Sequence, residues 1–372
     1  MMCLFSIRFN LNSKSSHLAV LLCLLVFIRF SLEGESPDYL NIQTRIQEIF
    51  ETSKSSVVRV KATREIVSDG KTRRILKMGS GFFVSKDGQV LTTGLLKDPD
   101  RIWVEHMGSF YLAEKLGQDI LCNLSLLKLE TTPKSFSFVT LSDFPEESKV
   151  GSILVALTCA LEFDVGPTFG ILQSEEFSFG KRLFPTKMLR TSLALGPGEI
   201  GAPVFDLRGK FVGISHAGLP DLKSSFLLPA NACMRIREAL TFSGGVDYGW
   251  FGITTTRQLN DTSGFDIVVQ NLIDESPAAE SLIKSGDIIR KVGNRLVNHQ
   301  GDLAHAAFFS RPNTFVEFLV IRGGKEIKIP IKVAKRPSFS NDVADMEDSI
   351  LEDGSDSHSP ANNNDSNQTS PF

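Results

Sequence analysis

The strongest constraint on the fold is a series of short apolar runs separated by turn residues between positions 56 and 228. The runs occupy residues 57–60, 81–84, 90–92, 124–129, 153–157 and 211–214. Two tetrads that end in glycine, S-K-D-G at 85–88 and D-L-R-G at 206–209, separate neighbouring runs and predict β-hairpins. Many short strands at nearly regular spacing, with no long amphipathic helix between them, predict an all-β barrel or sandwich. A helical pattern at 229–240 is expected to close this domain.

Composition and charge exclude several classes of protein. The chain has 372 residues, of which 42% are hydrophobic and 22% are charged, so it is neither collagen-like nor wholly disordered. This length predicts two or three domains of about 100–200 residues each. Forty basic and 43 acidic residues give a net charge of −3, which argues against nucleic-acid binding. Cys122, Cys159 and Cys233 are too few for a disulfide framework and are expected to be small core residues.

The N-terminal region predicts a leader over residues 1–34. Residues 1–32 contain no Asp or Glu, and an apolar run fills residues 18–28. The run is shorter than the roughly 20 residues that a membrane span needs, so no stable membrane span is expected. A secretory signal peptide is favoured, and a transit peptide for a chloroplast or mitochondrion is the alternative.

The C-terminal region is predicted to be an acidic disordered tail over residues 336–372. No Lys or Arg follows Arg336, whereas eight acidic residues do, and large apolar residues are rare. Such a segment cannot bury enough apolar surface to offset the entropy of ordering. It can either bind a basic partner or simply keep the chain soluble.

Several motifs in the strand-rich region resemble the HtrA/Do-like (DegP-type) serine proteases. They are G-S-G-F at 79–82, D-G-Q-V-L-T at 87–92, L-S-L-L-K at 124–128, G-P-T-F-G-I-L at 166–172 and G-P-G-E-I-G-A-P at 196–203. The resemblance implies a mainly β protein with a chymotrypsin/trypsin-like double β-barrel at residues 56–243. A lead-in segment at 35–55 would precede the barrels.

At the family's catalytic positions, however, the sequence departs from the pattern. The histidine position holds Leu95, the aspartate position Asn123 and the serine position Ile200. Leu95 has no nitrogen to act as a base, Ile200 has no lone pair to attack a carbonyl, and Asn123 has no charge to stabilise an imidazolium. The sequence therefore predicts a protease-dead member of the family. Gly198, Glu199 and Ile200 would form a residual oxyanion loop, and Leu95 and Ile200 are expected to pack together across the former cleft.

A rearranged active site is the alternative to a dead one. His216 directly follows Ser215, but neighbouring residues in a strand face opposite ways, which argues against a Ser–His dyad. No H-E-x-x-H, C-x-x-C or P-loop motif occurs, so neither a metal site nor a cofactor is predicted.

Residues 246–335 resemble the α+β PDZ domain of the same family. The resemblance rests on Y-G-W-F-G-I at 248–253, E-S-P-A-A at 275–279 and I-K-S-G-D-I-I-R-K-V-G-N at 283–294, with a groove helix at 302–309. PDZ domains bind an extended peptide as an added strand and capture its terminal carboxylate with backbone amides. The resemblance assigns this binding to Gly249, Trp250, Phe251, Gly252 and Ile253. The bulk of Trp250 and Phe251 leaves open that one of them fills the peptide pocket or packs against the barrel.

These features together predict a catalytically inactive protease homologue that acts by binding C-terminal or extended peptide segments. It would serve as an adaptor, a chaperone-like holder or a regulatory subunit in protein quality control. The alternative function is a serine endopeptidase of protein quality control with a rearranged active site. The resemblance also implies a homo- or hetero-oligomer, a trimer by analogy with the family, and the leader implies a secretory or extracellular location.

Overall fold

The computed structural model describes residues 38–68, 71–96, 98–142, 148–180, 182–260 and 264–337. The predicted leader and almost all of the predicted acidic tail lie outside these ranges. The first element is helix α1 (Asp38–Ser53), followed by a 3₁₀ turn (Lys54–Ser56), and both begin within the predicted lead-in segment. Among the described residues, no helix combines the length and apolar character needed to cross a membrane.

Six strands close the first barrel in the order β1-β2-β3-β6-β5-β4. They are β1 (Val57–Ser68), β2 (Lys71–Phe83), β3 (Gln89–Thr93), β4 (Arg101–His106), β5 (Ser109–Asp119) and β6 (Leu124–Leu129). Side chains in a strand alternate between two faces, and Val58, Val60 and Ala62 accordingly all point into the core of this barrel. The predicted tetrad at 85–88 joins β2 to β3, with Gly88 at a φ of 76°.

The second barrel is also closed, in the order β10-β11-β12-β9-β8-β7. Its strands are β7 (Ile153–Thr158), β8 (Gly166–Phe179), β9 (Arg182–Thr191), β10 (Pro203–Asp206), β11 (Phe211–Leu219) and β12 (Ser224–Pro229). Helix α2 (Ala230–Ser243) follows, and Ala232, Ile236 and Leu240 on its predicted apolar face are buried. The predicted double β-barrel is therefore confirmed.

A separate sheet and helix form the C-terminal domain. The sheet has the order β14 (Ile253–Leu259), β15 (Phe265–Leu272), β16 (Ile288–Val292), β18 (Phe315–Arg322) and β19 (Lys325–Lys332). Strand β17 (Arg295–Leu296) pairs with β16, and β13 (Gly249–Trp250) pairs with β20 (Ala334–Lys335). Helix α3 (Gln300–Phe309) packs Leu303, Ala306 and Ala307 into the core of this domain. The helix thus begins two residues before the predicted groove helix.

The three cysteines of the described region have the role that the sequence predicts. Cys122, Cys159 and Cys233 are all buried and form no disulfide. Each is at most 3% exposed, which confirms them as small core residues.

Candidate functional site

The three positions that the family resemblance assigns to the catalytic residues lie on loops at the ends of barrel strands. Leu95 follows β3, Asn123 precedes β6 and Ile200 precedes β10, and the N–H of Gly94 donates to the carbonyl oxygen of Asn123 at 3.3 Å. Leu95 is only 5% exposed and belongs to the core of the first barrel. Ile200 is half-buried and packs against the core of the second barrel. The two side chains thus belong to different cores, rather than to the single shared cluster that the sequence suggests.

Ser80 of β2 holds the loop that carries Ile200. Its N–H donates to the carbonyl oxygen of Ile200 and its Oγ donates to that of Gly198, each at 2.8 Å. The same Oγ accepts the N–H of Cys159 at 2.9 Å, and Ser80 is fully buried. The loop at 196–203, which the resemblance equates with the family's nucleophile loop, is therefore joined to the first barrel by hydrogen bonds of Ser80. Because Ser80 is buried, its polar groups need these protein partners in place of water. An oxyanion-binding role for the amides of this loop stays a prediction.

Glu199 occupies the position directly before Ile200, and its carboxylate turns back into its own loop. Its Oε2 accepts the N–H of Gly196 at 2.5 Å, and its Oε1 accepts the hydroxyl of Thr158 at 2.7 Å. Its own N–H donates to the carbonyl oxygen of Gly196 at 3.2 Å. Charge-assisted hydrogen bonds of this kind are among the stronger ones, so Glu199 stiffens the loop.

Ser215 and His216 are not arranged as a catalytic pair. Ser215 is fully buried, its Oγ donates to the carbonyl oxygen of Glu199 at 2.9 Å and accepts the N–H of Ala202 at 2.8 Å. His216 instead places Nε2 3.0 Å from the carbonyl oxygen of Cys122. The Ser215 hydroxyl is therefore occupied by backbone groups, not by an imidazole.

Cysteine thiols near the loop are equally poor candidates for a nucleophile. Burial raises the pKa of the Cys159 thiol to about 12, so the thiol stays protonated at neutral pH. Burial also raises the pKa of the Cys122 thiol well above its ordinary value. Since the thiolate is the reactive form, neither sulfur is activated for attack on a carbonyl.

The predicted peptide-binding loop is anchored by side chains that point into the protein. Phe251 and Ile253 are fully buried in the core of the C-terminal domain, and the Phe251 ring meets the Phe318 ring edge-on at 4.9 Å. Trp250 is 8% exposed and lies beside Ala304 in a small pocket. The same pocket is also lined by Leu121 and Pro185 of the barrels. Trp250 thus faces a pocket that barrel residues also line, whereas Phe251 lies in the domain core.

Backbone groups of β14 remain as the surface for an added strand. In the described sheet β14 is an edge strand, paired only with β15. The side-chain amide of Gln300, at the start of α3, donates to the carbonyl oxygen of Thr255 at 2.7 Å. A peptide that enters the groove between β14 and α3 would therefore compete with Gln300 for this edge.

The loop is also tied to the first barrel through Tyr248. The Tyr248 hydroxyl donates to the carboxylate of Asp119, a residue that is only 4% exposed. The same hydroxyl oxygen lies 3.8 Å from the sulfur of Cys122. The N–H of Cys122 donates to the same carboxylate at 3.2 Å. Burial raises the pKa of Asp119. Cys122 precedes Asn123, so this contact joins the C-terminal domain to the former aspartate position.

Helix α3 makes a second junction, with the second barrel. Nδ1 of His305 accepts the hydroxyl of Thr186 at 2.7 Å, and the His299 ring stacks on the Phe177 ring at 4.8 Å. Thr186 is only 1% exposed, so this hydroxyl–imidazole pair is a structural contact that no substrate can reach. Sequence reasoning did not find these junctions, because no local motif marks them.

The His305 junction predicts a specific loss of stability in acid. Burial, with help from the charges of Lys187 and Arg295, lowers the pKa of His305 to about 3. Between pH 6.5 and 3 the unfolded chain binds a proton that the folded chain does not, so folding weakens as the pH falls. Between pH 7 and pH 4.5 we expect the protonation of this residue in the unfolded chain to lower the free energy of unfolding by about 2–3 kcal/mol. Urea unfolding of the native chain and His305→Asn at both pH values measures the difference, and an equal loss in both would contradict it.

Comparison with known protein families agrees with both parts of the fold. Residues 79–214 match the model of a trypsin-like peptidase domain, and residues 249–333 match that of a PDZ domain. A "probable periplasmic serine endoprotease DegP-like" from Pseudomonas fulva is 28% identical over 323 residues, covering 83% of this chain. A protein of the same description from Halomonas elongata is 27% identical over 285 residues, covering 73% of this chain. The chain spans 65% of the length of the first relative and 59% of the second.

Solved structures share the same architecture. An HtrA-type protease AlgW with a decapeptide superimposes with a TM-score of 0.62 at 20% identity, over 79% of this chain and 99% of its own. A serine endoprotease from Yersinia pestis gives a TM-score of 0.55 at 22% identity, over 78% of this chain and 98% of its own. Fold and site thus define a trypsin-like double barrel joined to a PDZ domain. The two family models and the DegP-like relatives support an HtrA/DegP-type protein with a trypsin-like domain and a PDZ domain.

Proposed function

We propose that this chain is a catalytically inactive HtrA/DegP-type protein that acts by binding peptide segments through its PDZ domain. It would serve as an adaptor, a chaperone-like holder of unfolded segments or a regulatory subunit. The observation that carries the proposal is that Leu95, Asn123 and Ile200 stand where the family has its three catalytic groups. Leu95 is part of the first barrel's core, and the half-buried Ile200 packs against the second.

The surroundings of the loop support this reading. A serine-type mechanism needs a hydroxyl within hydrogen-bond reach of a base. The Ser215 hydroxyl is bound to backbone groups, and the Cys159 thiol has a pKa of about 12. Among the described residues, no group of His, Cys, Asp and Glu is placed to hold a metal ion.

A peptide-binding role is supported by the edge of β14 and the loop before it. Strand addition uses main-chain hydrogen bonds for affinity and pockets for specificity. The fully buried Phe251 and Ile253 hold the backbone of this loop rigidly, and a preorganised loop loses less entropy on binding.

The alternative remains a serine endopeptidase with a rearranged site, because the relatives are named serine endoproteases. Their names also include the word periplasmic, which together with the predicted leader favours export of this chain, with an organellar location as the alternative. A homo- or hetero-oligomer, such as a trimer, belongs to the same proposal.

Loss of catalysis is tested with a fluorophosphonate probe and with casein as a substrate. We expect no labelling and no cleavage by the native chain, since removal of the nucleophile costs about 10⁶ in turnover. Ile200→Ser alone should also stay unlabelled, because Leu95 cannot take the proton of the new hydroxyl. An active HtrA-type protease serves as the positive control. Labelling of the native chain that Ser215→Ala or His216→Ala abolishes would overturn the proposal.

Peptide binding is tested on the full chain with a random library of decapeptides that carry free C-terminal carboxylates. Selected peptides should bind at least about tenfold more weakly once their C-terminus is amidated, which corresponds to about 1.4 kcal/mol. The amidated peptide is the matched control, because only the carboxylate differs. Absence of binders, or equal binding of both forms, would contradict carboxylate capture by the loop.

A further inference from the structure

The hairpin of β1 and β2 extends beyond the first barrel as a two-stranded ribbon. The two strands pair continuously from Val57↔Phe82 to Ser68↔Lys71. Pairing of β1 with β4 ends at Thr63, and pairing of β2 with β3 ends at Gly81. Among the described residues, the outer part of the ribbon therefore pairs with no third strand, although Oδ2 of Asp100 accepts the N–H of Glu65 at 2.6 Å. Most of its side chains are exposed.

The two faces of this ribbon differ sharply in charge. Directly paired residues share a face, so Arg64 lies with Ile75, and Ile66 with Arg73. Together with Lys71 these residues form a surface that we call the basic face, defined as Arg64, Ile66, Lys71, Arg73 and Ile75. None of its three cations has a carboxylate within ion-pair distance among the described residues.

The opposite face is neutralised by its own residues. There Glu65 lies opposite Arg74 and forms an ion pair with it at 2.8 Å. Among the described residues, the cations of the basic face are thus the ones that no carboxylate of the ribbon neutralises. Two isoleucines between them, of which Ile75 is exposed, add apolar surface.

The basic face leads towards the altered catalytic cleft. Lys77 lies on the same side of the ribbon as the basic face but nearer to the barrel. It pairs with Ala62, which is two positions before Arg64. A Cβ placed on Gly94 would lie 3.9 Å from Cε of Lys77. Gly94 precedes Leu95, so Lys77, which lies inward of the basic face, is close to position 95.

We propose that the acidic segment of this same chain, residues 342–353, docks on the basic face of the ribbon. The segment carries Asp342, Asp345, Glu347, Asp348, Glu352 and Asp353. Val343, Met346, Ile350 and Leu351 stand among these acids and match the isoleucines between the cations. The segment is therefore opposite in charge to the basic face and, like that face, carries apolar residues among its charges.

The tether favours this occupant over a separate acidic protein. The segment begins five positions after Pro337, the last described residue, and residues 338–353 can reach about 50 Å. Attachment through a tether of this length gives an effective concentration in the millimolar range. That concentration compensates for the small contribution of each exposed ion pair. The contact should weaken with salt, because exposed charges are screened within about 10 Å at 0.1 M ionic strength.

The proposal is tested on the full chain by zero-length carbodiimide cross-linking, which joins carboxylates to lysine amines, followed by peptide mass spectrometry. We expect cross-links from Lys71 to the acids of residues 342–353, with yields that fall about fivefold between 0.02 M and 0.5 M salt. A mixture of isotopically labelled and unlabelled chains should show these links within one chain. Links only between chains, or no link from Lys71 while other exposed lysines react with the segment, would overturn the proposal.

Two neighbouring arginines provide a matched pair of variants. Arg73→Gln removes a cation from the basic face and should lower the Lys71 cross-links, whereas Arg74→Gln changes the opposite face and should leave them intact. A chain that ends at residue 337 should also show faster acylation of the Lys71 amine than the full chain. Equal cross-linking in both variants, or equal acylation with and without the segment, would overturn the proposal.

Discussion

Replacing Gly201 with alanine is expected to lower the free energy of unfolding by about 3 kcal/mol or more. Gly201 has a φ of 95°, which L-residues rarely adopt, and a Cβ at this position would lie 2.1 Å from the carbonyl oxygen of Ser80. That oxygen is backbone and also accepts the hydroxyl of Thr92 at 2.7 Å, so it cannot move away easily. Urea unfolding monitored by far-ultraviolet circular dichroism measures the loss.

The control for this substitution is Gly209→Ala in the β10–β11 turn. Gly209 has a φ of 76°, yet a Cβ added at this position would meet no other atom within 4 Å. This variant should therefore cost only the conformational strain, about 1–2 kcal/mol. Equal losses in the two variants would mean that the close approach of the barrels at Ser80 does not constrain the former nucleophile loop.

Replacing Phe251 with alanine is expected to destabilise the PDZ domain by about 3–5 kcal/mol. The side chain is fully buried and contacts Phe318, so truncation leaves a cavity that the surrounding strands cannot fill. A side chain that only lined a peptide pocket would instead change affinity and leave stability intact. The fluorescence of Trp250, the neighbouring residue, reports unfolding of this domain during a urea titration when Trp103 of the first barrel is replaced by phenylalanine.

Phe315→Ala is the matched control in the same domain. Phe315 is 71% exposed on β18, and its truncation should change stability by less than about 0.5 kcal/mol. A Phe251→Ala chain that kept its unfolding midpoint but lost peptide binding would contradict the structural assignment. That result would instead assign Phe251 to the peptide-binding pocket.

Much of the fold could be predicted from the sequence because its signals are local. The apolar runs predicted strands that the structure confirms, and the tetrads at 85–88 and 206–209 lie at tight hairpins. The identities at positions 95, 123 and 200 could be read by alignment of motifs to the family. The motifs were also sufficient to predict the PDZ domain and its groove helix, with an error of two residues at the start of α3.

The side-chain environments of the site could not be predicted in the same way. Trp250 and Phe251 are adjacent bulky residues in one motif. Only packing shows that Phe251 lies in the domain core and that Trp250 lines a pocket shared with barrel residues. Leu95 and Ile200 were expected to pack together across the cleft, but Leu95 belongs to the core of the first barrel and Ile200 packs against the core of the second. Composition does not distinguish these outcomes, because burial of either side chain is favourable in either place.

The sequence by itself determined the strand-rich double barrel, the PDZ domain and the absence of serine and histidine at the positions that the family resemblance assigns to catalysis. These properties follow from residue identity and short-range periodicity. Only the tertiary structure decided that Ser80 holds the loop of Gly198 across 118 positions, or that Tyr248 reaches Asp119 across 129. The same is true of the basic face, which exists because strand register places Arg64 and Arg73 on one side and Arg74 on the other. Contacts between residues so far apart in sequence depend on how the barrels close, and no local pattern encodes that geometry.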